Sequence, residues 1–296
     1  MKISVITVSF KAGEKLSETV LKTLKQTFTD YEILVKDGGS PDDSVQTLVA
    51  KLEEAGYAKE TVKRGTAPDE TEKTPETVLH KDGCASVRVI SEGDKGIYDA
   101  MNHAVSYAKG EYVIFMNCGD SFYDDEVLKN AAKVMEQNPD RGIYYGNAYF
   151  ETIGEILYQP AEITESVCFR HVPNHQACFF ARSLWDEEGF DLKYKIRADY
   201  DFFLRSFFEN KIRPCYLDIT VSSYEGGGYS ESKENRKRDK AEHREITERH
   251  MGKKRAAHYR RIMILTLQPL RTWIAQKSIF AGAYNALRKK LLAKGK

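Results

Sequence analysis

Ile3-Ser-Val-Ile-Thr-Val-Ser-Phe10 is an apolar, β-branched run bounded by charge at Lys2 and Lys11. Such a run reads as a central parallel strand, covered on both faces. The arrangement then repeats along the chain. Leu16, Val20, Leu24 and Phe28 recur at helical spacing, and Tyr31 to Val35 is a second strand. That strand ends in Asp37-Gly38-Gly39-Ser40-Pro41-Asp42, which is turn chemistry, and leads into a helix over 43–54. Val87 to Ile90 is a third strand. Ile97, Ala100, Met101, Ala104, Val105 and Ala108 then mark an amphipathic helix stopped by Gly110, and Tyr112 to Met116 is a fourth strand.

This alternation predicts an α/β fold, a Rossmann-like and mostly parallel central sheet with helices on both faces. Ligands of such sheets bind at the carboxyl ends of the strands. The loops after Phe10, Val35, Ile90 and Met116 should therefore line one crevice, and they carry Asp37, Glu92, Asp94, Lys95 and Asp120. Residues 57–86, rich in Thr, Glu, Lys and Pro, show no period and read as an insertion or surface loop. Beyond Asp120 a helix over 124–137 and shorter strands over 143–150, 156–158, 178–181 and 216–222 are expected, with a helix over 199–208.

Five cysteines at unpaired spacings read as reduced thiols, each a small buried hydrophobe, in a cytoplasmic protein. No stretch approaches the ~18 apolar residues of a membrane span, and no secretory leader is evident. The formal net charge of +1 conceals an asymmetry. His250 to Lys296 holds 12 Lys/Arg and no Asp or Glu, whereas the 249 residues before it carry about −11. Trp273, Phe280, Tyr284, Leu287 and Leu291 stripe this tail with apolar groups. It reads as a basic amphipathic helical segment, either lying on an anionic membrane surface or packed on the main domain; no nucleic-acid motif accompanies the charge.

The first strand is succeeded by Phe10-Lys-Ala-Gly-Glu-Lys15, not by a glycine-rich phosphate loop, which argues against dinucleotide enzymes and P-loop ATPases. Acidic loops remain, and Asp120 is the leading candidate to hold a divalent cation and through it phosphates; its alternative is a turn residue or the cap of the 124–137 helix. His171 and His175 stand four apart, but Pro173 between them argues against a helical metal pair.

The segments Ile3–Phe10, Asp37-Gly-Gly-Ser40, Ser91-Glu-Gly-Asp-Lys-Gly-Ile-Tyr-Asp-Ala-Met-Asn102, Phe115-Met-Asn-Cys-Gly-Asp120 and Ala198-Asp-Tyr-Asp-Phe-Phe-Leu-Arg205 occur in that order. Taken jointly they resemble the inverting nucleotide-sugar glycosyltransferases of the large family two, with a GT-A fold. The nearest likeness is to bacterial enzymes that build exopolysaccharide or O-antigen repeats, such as the colanic-acid glycosyltransferases. The resemblance covers about residues 1–230, divided into a nucleotide-sugar half (1–120) and an acceptor half (121–230), and leaves 231–296 as the basic tail.

The resemblance implies a role for each matching residue. Ser9, Phe10 and Asp37 would face the nucleotide base, and Asp94 and Lys95 the nucleotide and diphosphate; by themselves Asp37 is also a plain turn residue and Lys95 a solvated lysine. Asp99 and Asn102 either reach the cleft or pair locally. Asn117 to Asp120 takes the place of the family's metal-binding acidic motif, with Gly119 where the metal-binding Asp usually stands. Asp120 would then hold Mg²⁺ or Mn²⁺ together with diphosphate oxygens and water. Asp199 would be the catalytic base that deprotonates the acceptor hydroxyl. His175, Gln176, Asp201 and Ser230 would lie in the acceptor or diphosphate region. The implied enzyme, of hexosyltransferase type, moves a sugar from a UDP- or GDP-sugar, UDP being preferred, to a polyprenyl-diphosphate-linked or other glycan acceptor at the inner face of the plasma membrane. Two other readings stand beside it: an inactive nucleotide-sugar-binding or scaffolding protein, and a sugar nucleotidyltransferase.

Overall fold

The computed structural model of the chain describes residues 2–63, 75–226 and 235–266. The chain divides into two compact units, Met1–Ile246 and Thr247–Lys296.

The first unit opens with β1 (Ile3–Ser9), α1 (Glu14–Thr23), β2 (Tyr31–Asp37), α2 (Ser44–Glu54), β3 (Ala58–Lys63), β4 (Pro75–His80), β5 (Ser86–Ser91), α3 (Ile97–Tyr107) and β6 (Tyr112–Phe115). It continues with β7 (Ser121–Phe122), α4 (Val127–Gln137), β8 (Ile143–Phe150), β9 (Glu155–Leu157), α5 (Glu165–Arg170), β10 (Cys178–Ala181), α6 (Ala198–Phe208) and β11 (Cys215–Tyr224). The described strands form one sheet in the order β3-β4-β5-β2-β1-β6-β10-β8-β11-β7, with β9 paired to β8. Its centre, β5-β2-β1-β6, is parallel. Antiparallel pairs extend it on either side, at β3-β4-β5 and at β6-β10-β8.

Alternate residues of the central strands enter two cores. Val5, Ile33, Val35, Val87 and Ile114 pack with Leu16, Val20, Leu48 and Leu52 of α1 and α2. Ile6, Leu34, Ile90 and Phe115 pack with Met101 of α3 and Phe202 and Phe203 of α6. The near-continuous apolar character of these strands comes from having helices on both faces. Each such side chain, fully covered, contributes about 1.5–3 kcal/mol.

The register lays Ser9 opposite Asp37 and Asp37 opposite Ser91, so three strands end in one row and their loops emerge together. A buried ionic cluster ties the strands beneath. The Ser4 hydroxyl donates to Glu32 Oε1 at 2.6 Å, and Arg88 donates to Glu32 Oε2 at 2.9 Å and to the Glu76 carboxylate.

Within residues 57–86, expected as an insertion or surface loop, β3 and β4 pair antiparallel at the outer side of the sheet. The side chains of residues 58–62 are exposed, so this edge strand carries no apolar alternation to read. Charged edge strands of this kind resist pairing with another chain.

The sequence places the start of the basic tail at residue 231, but the division of the chain falls at Ile246 and Thr247. Residues 235–246, the first part of α7 (Asn235–Met251), thus belong with the first unit. The described part of the second unit holds the end of α7 and α8 (Lys253–Leu265), with Arg260 paired to Glu248 at 3.3 Å. The aromatic stripe of the tail, Trp273 to Leu291, lies outside the described residues. No described helix is long and apolar enough to cross a membrane.

Candidate active site

A cleft of about 510 Å³ opens at the carboxyl ends of the strands. Asp120 and Asp199, 79 positions apart in the chain, both line it, together with Lys15, Tyr98, Asn117 and His175.

Asp199 stands in the first turn of α6, whose apolar face (Phe202, Phe203, Leu204) is buried and holds the helix still. The segment leading into it is fastened by Glu242, whose carboxylate accepts from the backbone N–H groups of Lys195, Ile196 and Arg197, each at 3.0 Å. Arg197 adds a two-point pairing with Asp239 at 2.7 and 3.0 Å. Asp199 itself accepts from the Tyr200 N–H at 2.9 Å and the Tyr98 hydroxyl at 3.1 Å on Oδ1, and from His175 Nδ1 at 3.0 Å on Oδ2. A carboxylate offers about four acceptor positions, so one remains. The Asp199 side chain is 27% exposed, which leaves that position open to the cleft.

Burial works to raise Asp199, but the His175 hydrogen bond and charge, the Tyr200 N–H and the Tyr98 hydroxyl outweigh it and hold the carboxyl below its usual range. Burial works against a charged His175, yet the bond to Asp199 and the charges of Asp199 and Asp120 raise it above the ordinary imidazole range. Both shifts favour the ion pair over the neutral one. Asn117 Nδ2 lies 3.3 Å from His175 Nε2, while Asn117 Oδ1 is buried with no hydrogen-bond partner among the described residues.

Asp120 comes after the β6 strand through Asn117-Cys118-Gly119, and it is not the cap of α4, which begins at Val127. Burial pushes its carboxyl up to about 6, against the pull of His175. The loop offers an expected Mg²⁺ or Mn²⁺ one carboxylate, Asp120, and leaves the remaining positions to diphosphate oxygens and water. Gly119 has no side chain, and burial pushes the Cys118 thiol up to about 11, so it stays protonated. Among the described residues no cluster of three or more His, Cys, Asp or Glu is placed to hold a metal.

The expected nucleotide residues divide. Phe10 is 60% exposed at the end of β1, an aromatic face open to a ligand. Ser9 is buried, and its carbonyl accepts from Gly38 N–H at 2.8 Å. Asp37, expected at the nucleotide base, is fully buried and lies outside the lining of this cleft, with Oδ1 accepting from the Ser40 hydroxyl. It accepts from Gly39 N–H at 3.0 Å, Ser40 N–H at 2.8 Å and the Ser91 hydroxyl at 2.7 Å. Its work is to shape the loop beside Phe10. Asp94 is held by the buried Lys36 ammonium at 3.3 Å and by Gly96 N–H at 3.0 Å. A Cβ at Gly38 would come within 2.8 Å of its Oδ2, so a larger residue there would push the Asp94 carboxylate aside.

Lys95 is exposed and outside the cleft lining, while Gln176 lies in it. Asp201, expected in the acceptor or diphosphate region, is fully buried and outside this lining. Asp99 pairs locally, accepting from Lys95 N–H at 2.8 Å, and Asn102 binds Phe190 backbone. Ser230, with Gly227 and Gly228, lies outside the described residues.

The fold adds Lys15, Tyr98, Glu225 and Glu242, which the sequence does not single out as site residues. Lys15 and Glu225 carry no local signal, and Glu242 sits in a run of helical charges that reads as solvated surface. Tyr98 is legible only as part of the 91–102 segment.

Residues 62–185 match the family model described as Glycosyl transferase family 2. A PGL/p-HBAD biosynthesis glycosyltransferase of Mycobacterium tuberculosis is 27% identical over 229 residues, 77% of this chain and 78% of that protein. Among solved structures, S. aureus TarS 1–349 in complex with UDP superimposes with a TM-score of 0.58 at 17% identity, covering 83% of this chain. This chain spans 64% of that one. Mannosyltransferase PcManGT from Pyrobaculum calidifontis, in complex with GDP-Man and Mn²⁺, gives a TM-score of 0.60 at 15% identity over 100% of this chain and 86% of that one. These structural likenesses speak for the fold.

Proposed function

We propose that this chain, which belongs to glycosyl transferase family 2 and is a glycosyltransferase, moves one sugar from a nucleoside-diphosphate sugar to an acceptor hydroxyl with inversion at the anomeric carbon. The observation that carries the reading is the single cleft shared by Asp199 and Asp120, with Asp199 held ionised by His175 at 3.0 Å and keeping one acceptor position open.

Asp199 accepts the hydrogen bond of the acceptor hydroxyl. As that oxygen forms its bond to the anomeric carbon it grows more acidic, and its proton passes to Asp199. The bond from the anomeric carbon to the diphosphate oxygen breaks on the opposite face, its electron pair leaving with the nucleoside diphosphate. His175 and Tyr98 orient the carboxylate, and Glu242 fixes the chain before α6. The exposed ring of Phe10 offers a stacking face to the nucleotide base. UDP is the preferred nucleotide, in line with the UDP bound by the TarS relative; the GDP-Man of the mannosyltransferase keeps GDP as the alternative.

The acceptor is proposed to be a lipid-linked glycan of cell-surface polysaccharide assembly at the inner face of the plasma membrane. The basic, acid-free run over 250–296 supports that placement. Each basic residue near an anionic leaflet adds about 1 kcal/mol of attraction.

A screen of UDP- and GDP-sugars for nucleoside-diphosphate release, followed by NMR of the product's anomeric configuration, tests the reading. Asp199→Asn is expected to lower transfer by about 10²- to 10⁴-fold. Unchanged transfer, or retained configuration, rejects it. Sedimentation with vesicles containing anionic phospholipid, compared with neutral ones, tests the membrane surface.

A further inference from the structure

Gly119 sits in the Asn117–Asp120 loop with a φ of +98°, directly beside the only carboxylate of that loop. A Cβ there would lie 3.8 Å from Lys15 Nζ, and among the described residues it would meet nothing else within 4 Å. Where the loop lacks a second acidic side chain, a lysine ammonium from α1 fills the space in front of it.

Thr19, one helical turn beyond Lys15, explains the placement. Its buried hydroxyl accepts from Gly119 N–H at 3.1 Å and lies 3.4 Å from the Asp120 carbonyl. These contacts bolt α1 to the loop. Lys15, at i−4 from Thr19, lies on the same helix face and lines the same cleft as Asp120, His175 and Asp199. Its present partner is Glu225 Oε2 at 3.1 Å, and the two side chains are 57% and 59% exposed. Solvent screens an ion pair this open, so the ammonium exchanges partners easily. A diphosphate carries more charge than one carboxylate and accepts stronger hydrogen bonds.

We infer that Lys15 supplies from the protein itself the positive charge that the donor's diphosphate requires, in the place where a bound cation would otherwise stand. This rests on the reading of the donor as a nucleoside-diphosphate sugar. Nζ leaves Glu225, binds a β-phosphate oxygen, and stabilises the negative charge that the nucleoside diphosphate gains as the bond to the sugar breaks. Binding and leaving-group stabilisation then need no second acidic side chain in the loop.

Calorimetric titration of the full chain with UDP, GDP and UMP, in chelator-treated buffer and with added Mn²⁺, tests this. UDP is expected to bind in chelator with a Kd within about threefold of its value in Mn²⁺. Lys15→Met is expected to weaken UDP at least tenfold and UMP less than threefold, and Lys15→Arg to keep most of the affinity. A UDP affinity that falls tenfold on chelation, or a Lys15→Met loss shared equally by UMP, overturns the inference and leaves the donor reading standing. Failure of both UDP and GDP to bind in either buffer removes the donor reading and the inference with it.

Discussion

His175 Nδ1 lies 3.0 Å from Asp199 Oδ2, and this bond is the largest influence opposing burial at both groups. Burial alone would raise the Asp199 carboxyl, and the imidazole reverses that. In His175→Ala the burial effect prevails. The acid limb of the pH dependence of kcat/KM is therefore expected to move to higher pH, with kcat reduced by about 10²-fold at neutral pH. An acid limb that stays in place would remove His175 as the group that keeps Asp199 ionised.

Asp120 makes stability depend on pH in the opposite sense to a salt-bridged carboxylate. Its folded carboxyl titrates at about 6, against an ordinary 3.8. Between those values the folded chain holds a proton that the unfolded chain releases, so the favourable contribution is present below 3.8 and lost as pH rises through about 6. Asp120→Asn abolishes this dependence. The variant is expected to melt at a higher temperature than the parent at pH 7.5, with the difference shrinking toward pH 4. Parallel melting curves across that range would contradict the assignment.

Arg88 is the shared cation of Glu32 and Glu76 inside the sheet, and its side chain is 6% exposed. Arg88→Met leaves two buried carboxylates without their partner. The expected cost is about 3–5 kcal/mol in urea unfolding, seen as a lowered midpoint with little change in slope. Since Arg88 lies away from the cleft lining, a protein that stays folded should keep its nucleotide affinity.

Glu242 takes three backbone N–H groups ahead of α6, so its loss frees the chain that carries Asp199. In Glu242→Ala the base moves relative to the sugar, and kcat is expected to fall by roughly 10- to 100-fold. UDP affinity, set by other elements of the cleft, should change little. A loss confined to KM would show that Glu242 does not position the base.

The parallel centre of the sheet, the helices over 97–107 and 198–208, and the ordered string of motifs are all legible in the primary structure, because periodicity and turn chemistry are local properties. The likeness of Asp120 and Asp199 to family positions is also available there, as is the absence of an acid at position 119. The β3–β4 hairpin is not, because an edge strand with exposed charged side chains has no apolar alternation. Nor is the division of roles among carboxylates. Asp37, Asp120 and Asp199 look alike as letters; partners drawn from distant segments set one as a turn former, one titrating at about 6 and one held ionised by His175. Chemical type and local period reside in the chain itself, whereas the charge of a carboxylate and the cation that stands opposite it depend on which residues folding brings within a few ångströms.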